Sequence, residues 1–246
     1  MNDASKQVRS ISVAVALAIV GFGIGALLVA GGAGLLVSVG MPIFERPALQ
    51  LVLSATLLQG VAFGSVALAY TRLVKGSPPI PVTIPSRGDI AWAVGGSALT
   101  LILWVGLSMT VTVLGLDSAT NQVVTTASEN PAVLLLMVPL SYLLVGPGEE
   151  LLFRGVIQGR LRSTLSPVVA ISLASAIFAL LHVSSLSGEG KFVYLGGVFL
   201  VALVLGTAYE RTGNLSVPVF IHATYNAIQF TVAYLTLTPM TGAFLS

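Results

Sequence analysis

The chain has 246 residues, of which 55% are hydrophobic and only 8% are charged, and its mean hydropathy is +0.98. A water-soluble fold of this length could not cover that composition with a polar surface, so the sequence predicts a polytopic membrane protein. The net charge of +2 rests on too few groups to indicate a nucleic-acid partner. The absence of cysteine excludes disulfides, thiolate metal sites and a cysteine nucleophile.

Runs of about 18 or more mostly apolar residues predict seven transmembrane helices. In chain order they cover residues 11–39, 49–70, 90–116, 132–158, 167–183, 192–208 and 215–237. The long first run leaves room for an eighth span if it divides into two. The sequence therefore predicts an all-α, polytopic transmembrane helical bundle of about seven or eight spans.

The basic residues outside these spans predict the orientation of the chain, because Lys and Arg accumulate in cytoplasmic loops. Arg46 and Lys191 lie in the alternate loops, each accompanied by a glutamate, whereas the other eight lie before the first span and after the second, fourth and sixth spans: Lys6, Arg9, Arg72, Lys75, Arg87, Arg160, Arg162 and Arg211. We therefore expect a cytoplasmic N-terminus and a C-terminus outside. The glycine-rich first span and the lack of cysteine are compatible with a prokaryotic plasma membrane protein.

One linker is evident, from Gly76 to Gly88, where four prolines predict a stiff, non-helical connection. It lies between the second and third spans, on the predicted cytoplasmic side. It does not separate two soluble domains, so we expect one integral membrane domain over residues 1–246.

Five ionisable side chains fall inside the predicted spans, and all are in the C-terminal half of the chain: Glu149, Glu150, Arg154, His182 and His222. The two histidines are the only ones in the sequence. Ionisable groups cost several kcal/mol in hydrocarbon, so intramembrane Glu, His and Arg indicate a functional site. The spans within residues 11–116 contain no acidic or basic residue.

The two adjacent glutamates face different directions on a helix. Glu150 and Arg154 are four residues apart and can pair, whereas Glu149 is rotated by roughly 100° from them. We expect Glu150 and Arg154 to form a mutually neutralising structural pair, and Glu149 to point into the bundle. The preceding Gly-Pro-Gly sequence weakens the helix, which can widen a cavity and admit water.

The depths of the polar residues predict that they meet. A rise of about 1.5 Å per residue places Glu149, His182 and His222 roughly 17, 23 and 12 Å from the cytoplasmic ends of their spans. Given boundary errors of several residues, all three fit one layer in the middle of the membrane. Asn226 shares a helix face with His222. We expect these four side chains to converge on one cavity that opens towards the basic end of the fourth span.

These residue types suit peptide hydrolysis. A carboxylate with an imidazole can activate water, and an imidazole with a carboxamide can stabilise the tetrahedral oxyanion. A proton-coupled carrier is the alternative from another class, because intramembrane Glu, His and Arg also relay protons. A carrier would be expected to distribute its polar groups over both halves of the bundle. A non-catalytic scaffold or immunity protein is a third alternative, which the sequence does not separate from an enzyme.

Three blocks of sequence carry a resemblance to a known family: Glu149-Glu150-x-x-x-Arg154, Phe178-x-x-x-His182 and His222-x-x-x-Asn226. In this order, across separate apolar segments, they resemble the CPBP intramembrane protease family. That family includes the CAAX prenyl endopeptidases of the Ras-converting type and the bacteriocin-processing or self-immunity (Abi) proteins. The resemblance covers residues 149–226 and implies a catalytic core at 132–237 that follows variable spans at 11–116.

The resemblance also implies roles for the matched residues. Glu149 would be the general base and His182 would help to polarise the water, while His222 and Asn226 would form the oxyanion hole. Supporting positions would be Glu150, Arg154 and Phe178, the last of which also suits a simple core or lipid-facing aromatic. The implied partners are membrane lipid and a protein or peptide substrate near the membrane surface. The sequence specifies neither prenylation of that substrate nor the oligomeric state.

Metal dependence is the point on which the residues allow two mechanisms. Glu149, His182 and His222 have the Glu-plus-two-His composition of a catalytic zinc site. The chain has no His-Glu-x-x-His, however, and using all three as ligands would leave only Glu150, paired with Arg154, as a nearby base. We therefore expect a metal-free glutamate mechanism without a cofactor, with zinc as the alternative.

Overall fold

The computed structural model describes residues 3–77 and 79–238 of the chain. Its helices, in chain order, are α1 (Asp3–Ser38), α2 (Pro47–Leu73), α3 (Arg87–Leu114), α4 (Gln122–Thr126), α5 (Val133–Arg162), α6 (Pro167–Leu181), α7 (Lys191–Thr212) and α8 (Ser216–Leu237). Short 3₁₀ turns cover Ile43–Glu45 and His182–Ser185. Two strands, β1 (Thr120–Asn121) and β2 (Leu186–Ser187), pair antiparallel. The all-α prediction is confirmed, although the sequence did not indicate this two-residue ladder.

Each of the seven predicted spans corresponds to one helix. The first apolar run does not divide, because α1 is a single helix of 36 residues. Among the described residues, six helices are long and apolar enough to cross a membrane, namely α1 to α3 and α5 to α7. The seventh, α8, is 22 residues long, but His222, Asn226 and Gln229 lower its hydropathy. The protein is therefore an integral membrane protein with a helical bundle.

Three stretches of the bundle have the wider winding of a π-helix: Ala55–Phe63 in α2, and Ser141–Val145 and Leu151–Gln158 in α5. The two stretches in α5 flank Gly146–Glu150, which contains Pro147. Proline lacks the N–H that an α-helix needs, and π-helical turns occur frequently at functional sites. The predicted weakening of the helix before Glu149 therefore takes the form of local unwinding without a break.

The proline-rich connection between α2 and α3 is non-helical over residues 79–86, and Pro78 lies outside the described residues. It runs across one end of the bundle. Ile80 packs against the central apolar cluster, and the amide of Leu215 donates to the carbonyl oxygen of Pro81 at 2.9 Å. At the start of α3, Ser86 and Asp89 form a reciprocal capping box. The linker therefore closes this end of the bundle.

The largest apolar cluster joins α1, α2, α5, α6 and α7. Aromatic edge contacts run through it, from Phe63 to Phe153 with centroids 5.9 Å apart and from Phe153 to Phe178 at 4.9 Å. Such edge-to-face pairs add to the stability that burial provides. The cluster forms a rigid apolar wall directly beside the polar residues of α5 and α8.

Candidate active site

A cavity of about 510 Å³ lies between the helices, and Glu149, His182, His222 and Asn226 all line it. They come from α5, from the turn that follows α6, and from α8. Apolar residues from the other long helices complete the wall, among them Phe22, Leu58, Trp104 and Val198. The structure thus brings the four predicted side chains to one space inside the bundle.

Glu150 and Arg154 form the buried pair that their spacing predicts. Arg154 Nε lies 3.1 Å from Glu150 Oε2, and neither side chain is more than 1% exposed. Arg154 also donates to the carbonyl oxygen of Ala202 at 3.3 Å. Removing one partner of a buried ion pair is strongly destabilising, because the other charge is left uncompensated. The two charges therefore depend on each other for their burial.

His222 lies between the two glutamates. Its Nδ1 is 2.8 Å from Glu150 Oε1, and its Nε2 is 3.8 Å from Glu149 Oε2. With Glu150 ionised, Nδ1 is the donor in the shorter contact, because a carboxylate only accepts hydrogen bonds. Glu150 therefore orients the imidazole so that Nε2 faces Glu149. The sequence did not reveal this second role of Glu150.

His182 is held by the backbone of its own helix. Its Nδ1 lies 2.9 Å from the carbonyl oxygen of Phe178, which can only accept, so Nδ1 carries the proton. In the neutral ring, Nε2 is then the atom with a free lone pair. Among the described residues, no ion-pair contact within 4 Å joins His182 to Glu149. The two side chains line the same cavity without forming an ion pair.

Phe178 is 3% exposed and packs on the site, so it is a core residue without a lipid-facing role. Its ring centroid lies 4.7 Å from that of His182 and 5.9 Å from that of His222. The guanidinium carbon of Arg154 is 4.7 Å from the same centroid, within the range of a cation–π contact. One aromatic ring therefore contacts both histidines and the buried arginine.

Asn226 lies one turn after His222 on α8 and is half-buried. Its side chain lines the cavity and makes no hydrogen bond to any residue of the described ranges. Glu149 Oε2 is likewise shielded and has no hydrogen bond within that part of the chain. Glu149, His222 and Asn226 thus line one cavity with a carboxylate, an imidazole and a carboxamide.

The expected direction of the opening is wrong. The cavity is lined by Asn121, Ser184 and Ser185, which lie in the loops at the end of the bundle opposite the basic end of α5. At the basic end, Arg162 Nε donates to Glu210 Oε1 at 2.9 Å, and the linker packs across the helices. One of the two arginines that we expected beside an entrance, Arg162, instead ties α5 to α7, and neither Arg160 nor Arg162 lines the cavity.

Several polar residues that line the cavity have no place in the three sequence blocks. These are Gln59 of α2, Asn121 of β1, Tyr194 of α7, and Tyr225 and Gln229 of α8. Asn121 Nδ2 donates to the Tyr194 hydroxyl at 3.2 Å. Gln59 carried a signal in the sequence, because it is a large polar side chain in the middle of an apolar span. Gln229 carried the same signal, whereas the others required the tertiary structure, since the sequence does not specify which helix faces and loops meet.

The side chains do not form an evident metal site. Within residues 3–77 and 79–238, no group of three His, Cys, Asp or Glu side chains is arranged to hold a metal ion. Each histidine uses its Nδ1 for a hydrogen bond, His222 to Glu150 and His182 to a backbone carbonyl, which is also how histidines that bind a metal through the other nitrogen are held.

Comparison with known proteins agrees with this arrangement. The family profile described as Type II CAAX prenyl endopeptidase Rce1-like matches residues 131–228, a stretch that contains every residue of the three blocks. No solved structure gives a significant match to the chain.

Three relatives extend the match. The chain is 31% identical over 141 residues to the uncharacterized protein YpbD of Bacillus subtilis, covering 52% of this chain and 66%, just under two thirds, of that protein. It is 30% identical over 159 residues to an uncharacterized 24.3 kDa protein of Escherichia coli, covering 64% and 69%. It is 25% identical over 215 residues to the membrane-embedded CAAX protease MroQ of Staphylococcus aureus, covering 81% of each chain. With the three sequence blocks gathered around one cavity, this chain belongs to the CPBP family of membrane-embedded, Rce1-like CAAX proteases.

Proposed function

We propose that this protein is an intramembrane endopeptidase that hydrolyses a peptide bond with water activated by Glu149 and His182. The observation that carries the proposal is the difference between the two glutamates. Glu150 contacts Arg154 and His222 at 3.1 and 2.8 Å, whereas Glu149 lines the cavity with a shielded oxygen. A carboxylate that is paired at short range is a poor base, so Glu149, whose contact with His222 is longer at 3.8 Å, is the better candidate.

The reaction follows from the atoms that face the cavity. Glu149 would take a proton from water as the water oxygen attacks the carbonyl carbon of the substrate. The tetrahedral oxyanion would accept hydrogen bonds from His222 Nε2–H and from the Asn226 carboxamide. The C–N bond would then break, and Glu149 would return the proton to the leaving nitrogen. The products are a carboxylate and an amine, and the reaction as written uses no cofactor.

The surroundings of the histidines support this division of roles. His182 keeps its Nδ1 proton on the Phe178 carbonyl, so its Nε2 can accept a hydrogen bond from the attacking water. His222 donates to Glu150 through Nδ1, so it must carry protons on both nitrogens to donate from Nε2 as well. A histidine held by a carboxylate on one nitrogen while it works with the other follows the logic of hydrolytic triads.

The substrate would be a membrane-associated peptide. The cavity wall is mostly apolar, with Trp104 and Met137 among its residues, and it extends from the bundle centre to the loops around Asn121. A peptide that carries an apolar segment could therefore enter from that end and place its scissile bond beside Glu149. Membrane lipid would surround the apolar outer faces of the bundle.

The direct test is cleavage by the purified full-length protein in detergent. A panel of internally quenched apolar peptides, with and without a prenylated cysteine, would be compared for the wild type and for Glu149→Gln. We expect the variant to retain its fold and to lose at least about 100-fold in kcat, because an amide cannot take a proton from water. Full activity in Glu149→Gln would rule out the assigned base.

Two further experiments distinguish the metal-free mechanism from a zinc-dependent one, and the enzyme from a carrier or a scaffold. Activity that survives 1,10-phenanthroline supports the metal-free mechanism, whereas loss that zinc reverses would replace it with a metal-dependent one. If no peptide is cleaved, proton flux in proteoliposomes distinguishes a carrier from a non-catalytic scaffold.

A further inference from the structure

Gln59 lies outside the part of the chain that the family profile matches, which begins at residue 131. It is in the middle of α2, within the π-helical stretch Ala55–Phe63. Its neighbours in that stretch are apolar or small, apart from Thr56. A glutamine in the centre of a membrane span is costly unless its carboxamide has a hydrogen-bond partner.

The backbone places Gln59 directly beside the proposed base. Gly148, which precedes Glu149, packs so closely on α2 that a Cβ atom there would overlap the carbonyl oxygen of Gln59. Only glycine permits this approach. The wider winding around Gln59 also redirects its side chain relative to a regular helix. The π-helical stretch of α2 therefore meets α5 at the short α-helical segment Gly146–Glu150, between the two π-helical stretches of α5.

The Gln59 side chain lines the same cavity as Glu149, His222 and Asn226. Its Oε1 is shielded, yet it has no hydrogen-bond partner among residues 3–77 and 79–238. Gln158 also has a shielded Oε1 without a partner, but it differs from Gln59 in its amide nitrogen, because Nε2 donates to the carbonyl oxygen of Gly206 at 3.0 Å and thereby ties α5 to α7. The usual structural role of a membrane glutamine, a bond between helices, is therefore met by Gln158 and not by Gln59.

We propose that Gln59 binds the backbone of the substrate, with its Oε1 accepting a hydrogen bond from a peptide N–H next to the scissile bond. The inference rests on the proposed endopeptidase function, which supplies the peptide. In that function His222 and Asn226 take the carbonyl oxygen, and Glu149 takes the proton of water, so a neighbouring N–H still needs an acceptor. A shielded acceptor beside the base meets this need, and its bond to the peptide offsets the cost of its burial.

Binding can be measured separately from cleavage, because the chain has only two tryptophans and one of them, Trp104, lines the cavity. In a Trp92→Phe, Glu149→Gln background, energy transfer from Trp104 to a dansylated alanine–leucine peptide reports occupancy without turnover. A series of peptides carrying a single N-methyl group at each backbone nitrogen in turn then locates the N–H that matters.

We expect Gln59→Leu to bind the unmethylated peptide about three- to tenfold more weakly, the loss of one neutral hydrogen bond. At one position, N-methylation should weaken binding to the Gln59 protein by a similar factor and leave binding to Gln59→Leu unchanged, because the effects of interacting groups do not add. Gln50→Leu is the matched control, since Gln50 lies on the same helix, bonds to the Phe44 carbonyl and does not line the cavity. It should bind as the parent protein does.

Three outcomes would overturn the inference. They are equal affinity of Gln59→Leu and the parent for the peptide, identical N-methyl profiles for the two proteins, and no peptide binding to any variant. Cleavage assays on the active protein keep the proposed function separate. Hydrolysis that Gln59→Leu leaves unchanged in KM would refute the role of Gln59 while retaining the endopeptidase, and absence of hydrolysis in the wild type would refute the endopeptidase itself.

Discussion

The imidazole of His222 and the carboxylate of Glu150 are joined by a 2.8 Å hydrogen bond between residues that are 72 positions apart in the chain. Because Glu150 also pairs with Arg154 at 3.1 Å, one buried carboxylate compensates a guanidinium and orients an imidazole. The adjacent Glu149 does neither at such short range and lies 3.8 Å from the other ring nitrogen. Neighbouring residues of the same type thus have separate tasks.

Glu150→Gln should destabilise the fold and also reduce activity. The substitution leaves Arg154 buried without its counter-charge, which costs about 3–5 kcal/mol in the free energy of unfolding. It also weakens the bond that orients His222, so the protein that remains folded should show a lower kcat. Thermal unfolding and peptide turnover in the same detergent check both effects, with Glu149→Gln as the stable, inactive comparison. A stable, inactive Glu150→Gln beside a stable, active Glu149→Gln would reverse the roles.

Phe178→Leu should lower both stability and activity, because the ring contacts two histidines and an arginine. Leucine preserves an apolar side chain but loses the aromatic and cation–π contacts, which together contribute about 1–3 kcal/mol. Both imidazoles would lose a packing surface, so kcat should fall more than KM rises. Phe192→Leu is the control, since that ring is 89% exposed. Equal effects of the two substitutions would refute any contribution of the Phe178 ring to stability or activity.

Gly148→Ala should destabilise the protein by about 1–3 kcal/mol, because the added methyl group must push α2 away from α5. The measurement is the thermal midpoint in detergent. Gly95→Ala is the matched helical control, because a Cβ atom there meets nothing within 4 Å. That change should be neutral or slightly stabilising, in keeping with the helix propensity of alanine. A midpoint for Gly148→Ala equal to that of Gly95→Ala would refute the close backbone approach.

Single cysteines can establish which side of the membrane the cavity faces, because the natural chain contains none. Lys75 and Glu189 are exposed and lie at opposite ends of the bundle. From the distribution of basic residues, we expect a membrane-impermeant maleimide to label Glu189→Cys in intact bacteria and Lys75→Cys only after permeabilisation. The opposite pattern would show that the chain has the inverted orientation, with the loops around Asn121 and Ser184 on the cytoplasmic side.

The amino-acid sequence by itself determined that the protein lies in a membrane, where its seven long apolar helices begin and end approximately, and which two charged side chains form a pair. These depend on local properties, since a run of apolar residues has to form a helix in lipid whatever its neighbours are. The contact between Glu150 and Arg154 is local too, because residues four apart share a helix face. The three motif blocks likewise indicated the family without any knowledge of how the helices pack.

Contacts between residues distant in the chain were decided by the tertiary structure. Helix spacing does not specify which faces meet, so neither the bond between His222 and Glu150 nor the position of Phe178 between both histidines could be read from periodicity. The estimated depths did not show which end of the bundle was closed, because that depends on the Arg162–Glu210 tie and the linker. Gln59 shows the same limit, since its place inside an apolar span is visible in the sequence, while only the packing of α2 on Gly148 placed it beside Glu149.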